Sequence, residues 1–379
     1  MTRTISSRTG LPSDASHRTS GRRWWRVAAL IAVLVACGCA STPEDPIGDS
    51  NAIVMVPISQ TGVRDRRAEF RNVFCTVLET RMREVGNIDD CEGRLLRLSD
   101  ELPRSPDPVD LGVSNQAITV IFIAGLGSDC VDQANQARDE LKDHLARFGY
   151  HFEALRVSGI SSSQANARTI RDALQAVPEL DARRKTIIVG HSKGVVDALE
   201  ALVNYPELQP KITAVISLAG AIGGSPLADT ASGLALSIAG NTPGLECKDG
   251  DGGALESLSP SVRRNWLANN PLPQSVRYYS VVGLPTPERI SIGLRASYNL
   301  LSDIDPRNDG NLLFYDQVIP GSTLLGYVNA DHWAISANLG ASPYALVRAL
   351  ADKSDFPRAV LLEAALRFVE LDLTNDPDH

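Results

Sequence analysis

An apolar run, Ile187-Ile188-Val189, enters Gly190-His191-Ser192-Lys193-Gly194, and a helix-forming run, Asp197-Ala198-Leu199-Glu200-Ala201-Leu202, leaves it. Nothing else in the chain restricts its architecture as much. A serine at a tight strand-to-helix turn has a strained backbone, which flanking glycines tolerate because they carry no Cβ to clash. The turn lifts Oγ out of the sheet edge and aims a helix N-terminus, with its partial positive charge, at whatever sits beside it. That geometry suits a nucleophile. Gly-x-Ser-x-Gly alone recurs by chance; a strand before it and a helix after it give it weight.

The neighbouring segments supply a sheet for that turn. Ile118 to Ala124 is a continuous apolar run of the kind buried in a parallel sheet, and it ends in Gly125-Leu126-Gly127. A helix over Val131 to Phe148 follows, then a strand His151 to Val157 and a helix Gln164 to Ala176. Thr186 to Val189 is the strand before the serine, and Val195 to Val203 is its helix. Further strands are expected at Ile212 to Leu218, Val276 to Val282 and Leu324 to Val328, with an amphipathic closing helix over Phe356 to Leu371. Upstream, Ile53 to Ile58 reads as a first strand, Asp65 to Val85 as a helix and Cys91 to Leu98 as a shorter one, before Pro103 to Pro108 breaks the chain. Such alternation means an α/β fold: a doubly wound, mostly parallel sheet with helices on both faces.

From Gly220 to Pro273 the rhythm is lost, with helical pieces near Ala228 to Ile238 and Ser259 to Ala268. A long insertion over the end that carries the serine is where a lid or cap would sit. The expected organisation is a signal segment over 1–36, a tether over 37–51, an N-terminal strand and helical segment over 52–110, and the main domain over 111–379 with a cap at about 220–275.

The N-terminus has an export pattern. Arg22, Arg23 and Arg26 precede Val27 to Ala36, an apolar run too short to span a bilayer, and small residues follow. Leu34-Val35-Ala36-Cys37 resembles a bacterial lipobox, which predicts lipidation at Cys37 and a membrane-anchored envelope lipoprotein; Cys39 is a poorer fit. Ser41 to Asn51 reads as a flexible tether. Removing the residues before Cys37 takes six Arg and one Asp from 37 basic and 45 acidic side chains, which leaves 31 and 44 and a net charge near −13. That charge argues against nucleic acid or an anionic membrane as the principal partner. Cys75, Cys91, Cys130 and Cys247 remain, and an even number in an exported chain suggests two disulfides. Cys75–Cys91 is expected because the two lie in neighbouring helical segments, with Cys130–Cys247 by exclusion.

A serine hydroxyl needs a base, and the base needs an orienting acid. Of six histidines, His17 lies in the leader and His379 at the extreme end. His144 sits in a charged helix and is expected to be solvated, His151 begins a strand, and His191 is expected to pack under the turn. His332, in Asn329-Ala330-Asp331-His332-Trp333, follows the last strand and is the expected base. The acid is sought between Ser192 and His332. Asp309 is preferred because Asn308-Asp309-Gly310 makes a sharp turn that holds a carboxylate at a strand end; Asp303, Asp305 and Asp316 compete, and Asp331 is too close to His332. Asp303, Asp305 and Asp309 also resemble half a calcium loop but lack its spaced bidentate Glu, so no metal is expected. For a developing oxyanion, the N–H of Lys193 is expected as one donor and that of Leu126 as the other, with Gly127 next.

Taken together, the Gly-His-Ser-Lys-Gly turn, the Ala-Gly-Leu-Gly loop and the Asn-Asp-Gly then Asp-His order resemble the α/β-hydrolase superfamily, lipase- and esterase-like serine hydrolases, over Ile118 to Ser336. The resemblance implies hydrolysis of a small or lipid-like carboxylic ester through an acyl-enzyme; the alternatives are a thioesterase or peptidase using the same triad, or a non-catalytic envelope binding protein on the same scaffold. It implies no cofactor, and the chain is expected to be a monomer. Two residues depart from the family pattern. Ala124 stands where many lipases have histidine, and Lys193 where Met, Gln or Leu is common. Lys193 is expected to pair with Asp197 one turn on; contact with a substrate carboxylate or phosphate is the alternative.

Overall fold

The computed structural model describes residues 62–84, 90–98, 101–127, 133–176, 185–230 and 250–375. The leader, Cys37, the tether, the strand expected at Ile53 to Ile58, the Cys130–Cys247 pair and the distal half of the helix expected at Ala228 to Ile238 lie outside them.

Among the described residues, eight strands form one sheet: β1 Arg64–Asp65, β2 Leu95–Leu96, β3 Ile118–Ile123, β4 His151–Leu155, β5 Lys185–His191, β6 Ala214–Leu218, β7 Arg277–Gly283 and β8 Thr323–Val328. Their order is β1-β8-β7-β6-β5-β3-β4, with β2 paired to β8. All pairings are parallel except β2 with β8. The central strands are buried on both faces, and their side chains divide with a period of two. Val120, Phe122, Ile187, Val189, Ala214 and Ile216 join one apolar core; Ile121, Ile123, Ile188 and Val215 join the other. Helices Arg67–Glu84, Gln133–Ala146 and Arg358–Asn375 contribute to the first core, and Ser163–Ala176 and Lys193–Asn204 to the second.

Two segments differ from expectation. The helix expected over Cys91 to Leu98 stops at Arg94, because Leu95 and Leu96 give their backbone to β8 opposite Val328 and Tyr327. Gly93, a poor helix former, sits just before the switch. The closing helix is not amphipathic, since every residue from Val360 to Val369 is buried. It lies between the sheet and two other helices, so it has no solvent side over that stretch. Its charges are paired instead: Glu363 accepts from Arg81 Nη2 at 2.6 Å, Arg367 Nε at 2.8 Å and His144 Nε2 at 2.8 Å. Burial alone would push Glu363 up, but these three donors outweigh it and hold the carboxyl at about 2. His144, expected in solvent, is therefore a buried member of this network.

Cys75 and Cys91 are joined by a disulfide with a Cα–Cα distance of 5.3 Å, within the ordinary range. The bridge fastens the helix Arg67–Glu84 to the segment that supplies β2.

Candidate active site

Strand order reverses between β3 and β5. The chain leaves β3 for β4 on one side, then returns to β5 on the other. A crevice forms where such a reversal separates two loops at the carboxyl ends of parallel strands. The loops after β3 and β5 meet there, and Ser192 is the first residue after β5.

Ser192 has φ 54° and ψ −125°, a left-handed backbone that few residues other than glycine adopt. Close packing imposes it. A Cβ on Gly125 would come within 2.6 Å of the Ser192 Cβ, one on Gly190 within 2.7 Å of the Val195 Cα, and one on Gly194 within 2.2 Å of the Ile123 carbonyl oxygen. On Gly220, a Cβ would come within 2.4 Å of the Ser217 Oγ. Helix Lys193–Asn204 can approach β3 and β5 this closely only because glycine stands at each contact.

Ser192, His332 and Asp309 come together. His332 Nε2 lies 2.8 Å from Ser192 Oγ, and its Nδ1 lies 2.7 Å from Asp309 Oδ2. The His332 N–H also donates to the Asp309 carbonyl at 2.9 Å. The other Asp309 carboxylate oxygen, Oδ1, accepts from the N–H groups of Asn311 at 2.9 Å and Leu312 at 2.7 Å. The Asn-Asp-Gly turn thus fixes the carboxylate on one side and offers its free oxygen to the imidazole on the other. Asp309 is fully buried and His332 is 4 % exposed.

The competing acids are engaged elsewhere. Asp305 pairs with Arg307 and Asp303 is exposed. Asp316 packs against Gly223, with its carboxyl pushed up to about 7 by burial. Asp331 accepts from the N–H groups of Ser291, Trp333 and Ala334, and so shapes the turn that carries His332.

The residues on either side of Ser192 turn away from it. Lys193 Nζ lies 2.6 Å from Asp197 Oδ1, and each side chain is 1 % exposed. Asn166 donates to the other Asp197 oxygen at 2.7 Å. Burial pushes the Asp197 carboxyl up despite these donors. The ammonium is thereby committed to Asp197 rather than presented to a ligand. Asn166 was not foreseen, and nothing in its own helix distinguishes it from a surface polar residue. His191 is buried next to His332, with ring centres 4.8 Å apart.

The N–H groups of Leu126 and Lys193 have no acceptor among the described residues. Gly125, which touches Ser192, places the first of them beside the elbow. An apolar wall of Val196, Ala221, Leu258 and Leu312, with Ala228 against it, joins the elbow helix to the segment after β6. Asp251 attaches that insertion to the loop after β4, accepting from the Ser162 N–H at 2.7 Å and the Ser162 hydroxyl at 2.6 Å. Among the described residues, no group of three His, Cys, Asp or Glu could hold a metal ion, and no helix is long and apolar enough to cross a membrane.

Among solved structures, the chain is similar to a metagenomic carboxyl esterase, with 35 % identity over 90 % of this chain and 99 % of that one and a TM-score of 0.76. It is also similar to the mature form of a Bacillus licheniformis lipase, with 23 % identity over 60 % of this chain and 89 % of that one and a TM-score of 0.45. No family model and no curated protein matches the chain.

Proposed function

The chain belongs to the α/β-hydrolase superfamily, with its carboxyl esterases, and on that premise we propose that it hydrolyses carboxylic esters with Ser192 as nucleophile, His332 as base and Asp309 as orienting acid. The observation that carries this reading is the continuous hydrogen-bonded path from Asp309 through His332 to Ser192 Oγ, at 2.7 and 2.8 Å.

In this mechanism His332 Nε2 takes the Ser192 proton as Oγ attacks the ester carbonyl. Asp309 holds the opposite ring nitrogen in its N–H form and stabilises the imidazolium. The negative charge that develops on the carbonyl oxygen is met by the N–H groups of Lys193 and Leu126, at the positive end of the elbow helix. His332 then returns the proton to the departing alkoxide, leaving an acyl group on Ser192. A water activated by the same imidazole releases the acid and restores the hydroxyl.

A fluorophosphonate probe is expected to label the wild-type chain and to leave Ser192→Ala unlabelled, while both chains melt cooperatively. A folded wild-type chain that never labels would return the fold to a non-catalytic binding role. Rates on p-nitrophenyl esters of increasing chain length would then define the acyl pocket.

The lipobox supports export and anchoring through lipid at Cys37. Metabolic palmitate labelling is expected to vanish in Cys37→Ser; labelling that persists there and vanishes in Cys39→Ser would move the anchor.

A further inference from the structure

His191 is the last residue of β5 and the immediate neighbour of Ser192. Its Nε2 lies 2.9 Å from the carbonyl oxygen of His332. A carbonyl only accepts, so Nε2 carries a hydrogen and donates. Burial holds the His191 pKa well below the usual histidine value, and His332 beside it adds to that effect. The ring is therefore a neutral imidazole whose tautomer is fixed by the bond it makes.

Among the described residues the accepting carbonyl has no other donor. No backbone N–H among the described residues donates to it, although the turn that follows is closed by Ile335 N–H to Asp331 and Ala337 N–H to Trp333. On its other side the His332 N–H is held by Asp309. The base is thus gripped by its side chain, its N–H and its C=O. Two of these grips come from the acid, and the third comes from the residue next to the nucleophile.

We propose, resting on the assignment of Ser192 and His332 as nucleophile and base, that His191 is a positioning residue: its N–H locates the His332 backbone relative to Ser192. Residues 191 and 192 share one strand end, so this bond references the base to the nucleophile itself. Without it, His332 would keep its contact to Asp309, but the distance from Nε2 to Oγ would depend on the loop after β8. Proton transfer is sensitive to that distance, and a misplacement of about 1 Å can cost about a hundredfold.

The test compares His191→Phe, which keeps a planar ring and loses the donor, with His191→Gln, whose amide N–H can reach the same carbonyl. His191→Phe is expected to lose about ten- to a hundredfold in kcat and in fluorophosphonate labelling rate, with KM within about twofold of wild type. His191→Gln is expected to recover most of both rates. The proposal is overturned if His191→Phe labels as fast as wild type. It is equally overturned if folded His191→Gln is slowed without any change in the Ser192 labelling rate, or is no faster than His191→Phe. Should His191→Phe fail to fold, the Gln variant still decides: near-wild-type rates support the donor, and a loss as deep as a hundredfold sinks it. Failure here leaves the ester hydrolase reading standing, because that reading falls only with an unlabelled wild-type chain.

Discussion

Asp309→Asn is expected to cut kcat by about four orders of magnitude while the chain keeps its fold. The reason lies in which atoms surround the carboxylate. Oδ1 accepts two backbone N–H groups, from Asn311 and Leu312. An asparagine there has to place its oxygen at the same point, since its NH2 group would face two donors. That leaves the NH2 aimed at His332 Nδ1, 2.7 Å from the original Oδ2. Nδ1 must then accept, so the ring hydrogen moves to Nε2, and Nε2 can no longer take the Ser192 proton. The turn's own hydrogen bonds survive, which is why stability is expected to change little. Turnover within about tenfold of wild type, measured on a chain with an unaltered melting midpoint, would remove the acid role from Asp309.

Lys193→Met is expected to destabilise the fold by about 3–5 kcal/mol, the usual cost of leaving one member of a buried ion pair alone. Asp197 would be left in a buried site with neutral donors, Asn166 and Ser163, and no cation beside it. The loss should depend on pH, and its sign follows from the direction of the carboxyl's shift. Burial already raises Asp197 in the wild-type fold, and removing the ammonium raises it further. A carboxyl whose folded pKa lies above its unfolded value of about 3.9 costs stability as pH climbs between the two. The gap between variant and wild type is therefore expected to be wider at pH 8 than at pH 5 in denaturant titrations. Lys193→Met combined with Asp197→Leu should recover much of the loss by removing the stranded charge. A gap below about 1 kcal/mol, or one that ignores pH, would mean the pair contributes little.

Much of this was legible because its causes are local. The elbow could be read from two glycines around a serine, with β-branched residues before and helix formers after. The Lys193–Asp197 pair could be read from their spacing on one helix. Asp309 could be preferred over its neighbours because Asn-Asp-Gly has a characteristic turn. What escaped has distant causes. His144 looks like one more polar position in a charged helix, and its buried partner Glu363 lies 219 residues away. The two-residue strands β1 and β2 have no periodicity to detect; they exist because β8 offers an unpaired edge. The helices Arg295–Ser302 and Ala345–Leu350 are short segments in loop-like sequence. The His191 bond was hidden for another reason: adjacency to the nucleophile suggested packing, and only the position of the His332 carbonyl shows what the ring's N–H is for.

The glycines at 125, 190, 194 and 220 divide the molecule into parts that can and cannot vary. Gly190 and Gly194 meet backbone, and Gly125 the Ser192 Cβ, at under 3 Å from where a methyl would sit, while Gly220 meets the Ser217 hydroxyl and a Val195 methyl, so the frame around Ser192 tolerates little change at these positions. Alanine is the smallest available change, and at Gly190 and Gly194 even alanine would push against the backbone of the elbow helix or of β3. Leu258 and Leu312 are under no such restriction, because they belong to a cluster of side chains rather than to a glycine contact. On the proposed assignment of Ser192 as nucleophile, a lineage or a designer therefore has more room in the insertion and the loop carrying Asp309 than in the turn that holds Ser192. The frame around Ser192 and the side chains packed beside it are thus separately mutable pieces of the same chain.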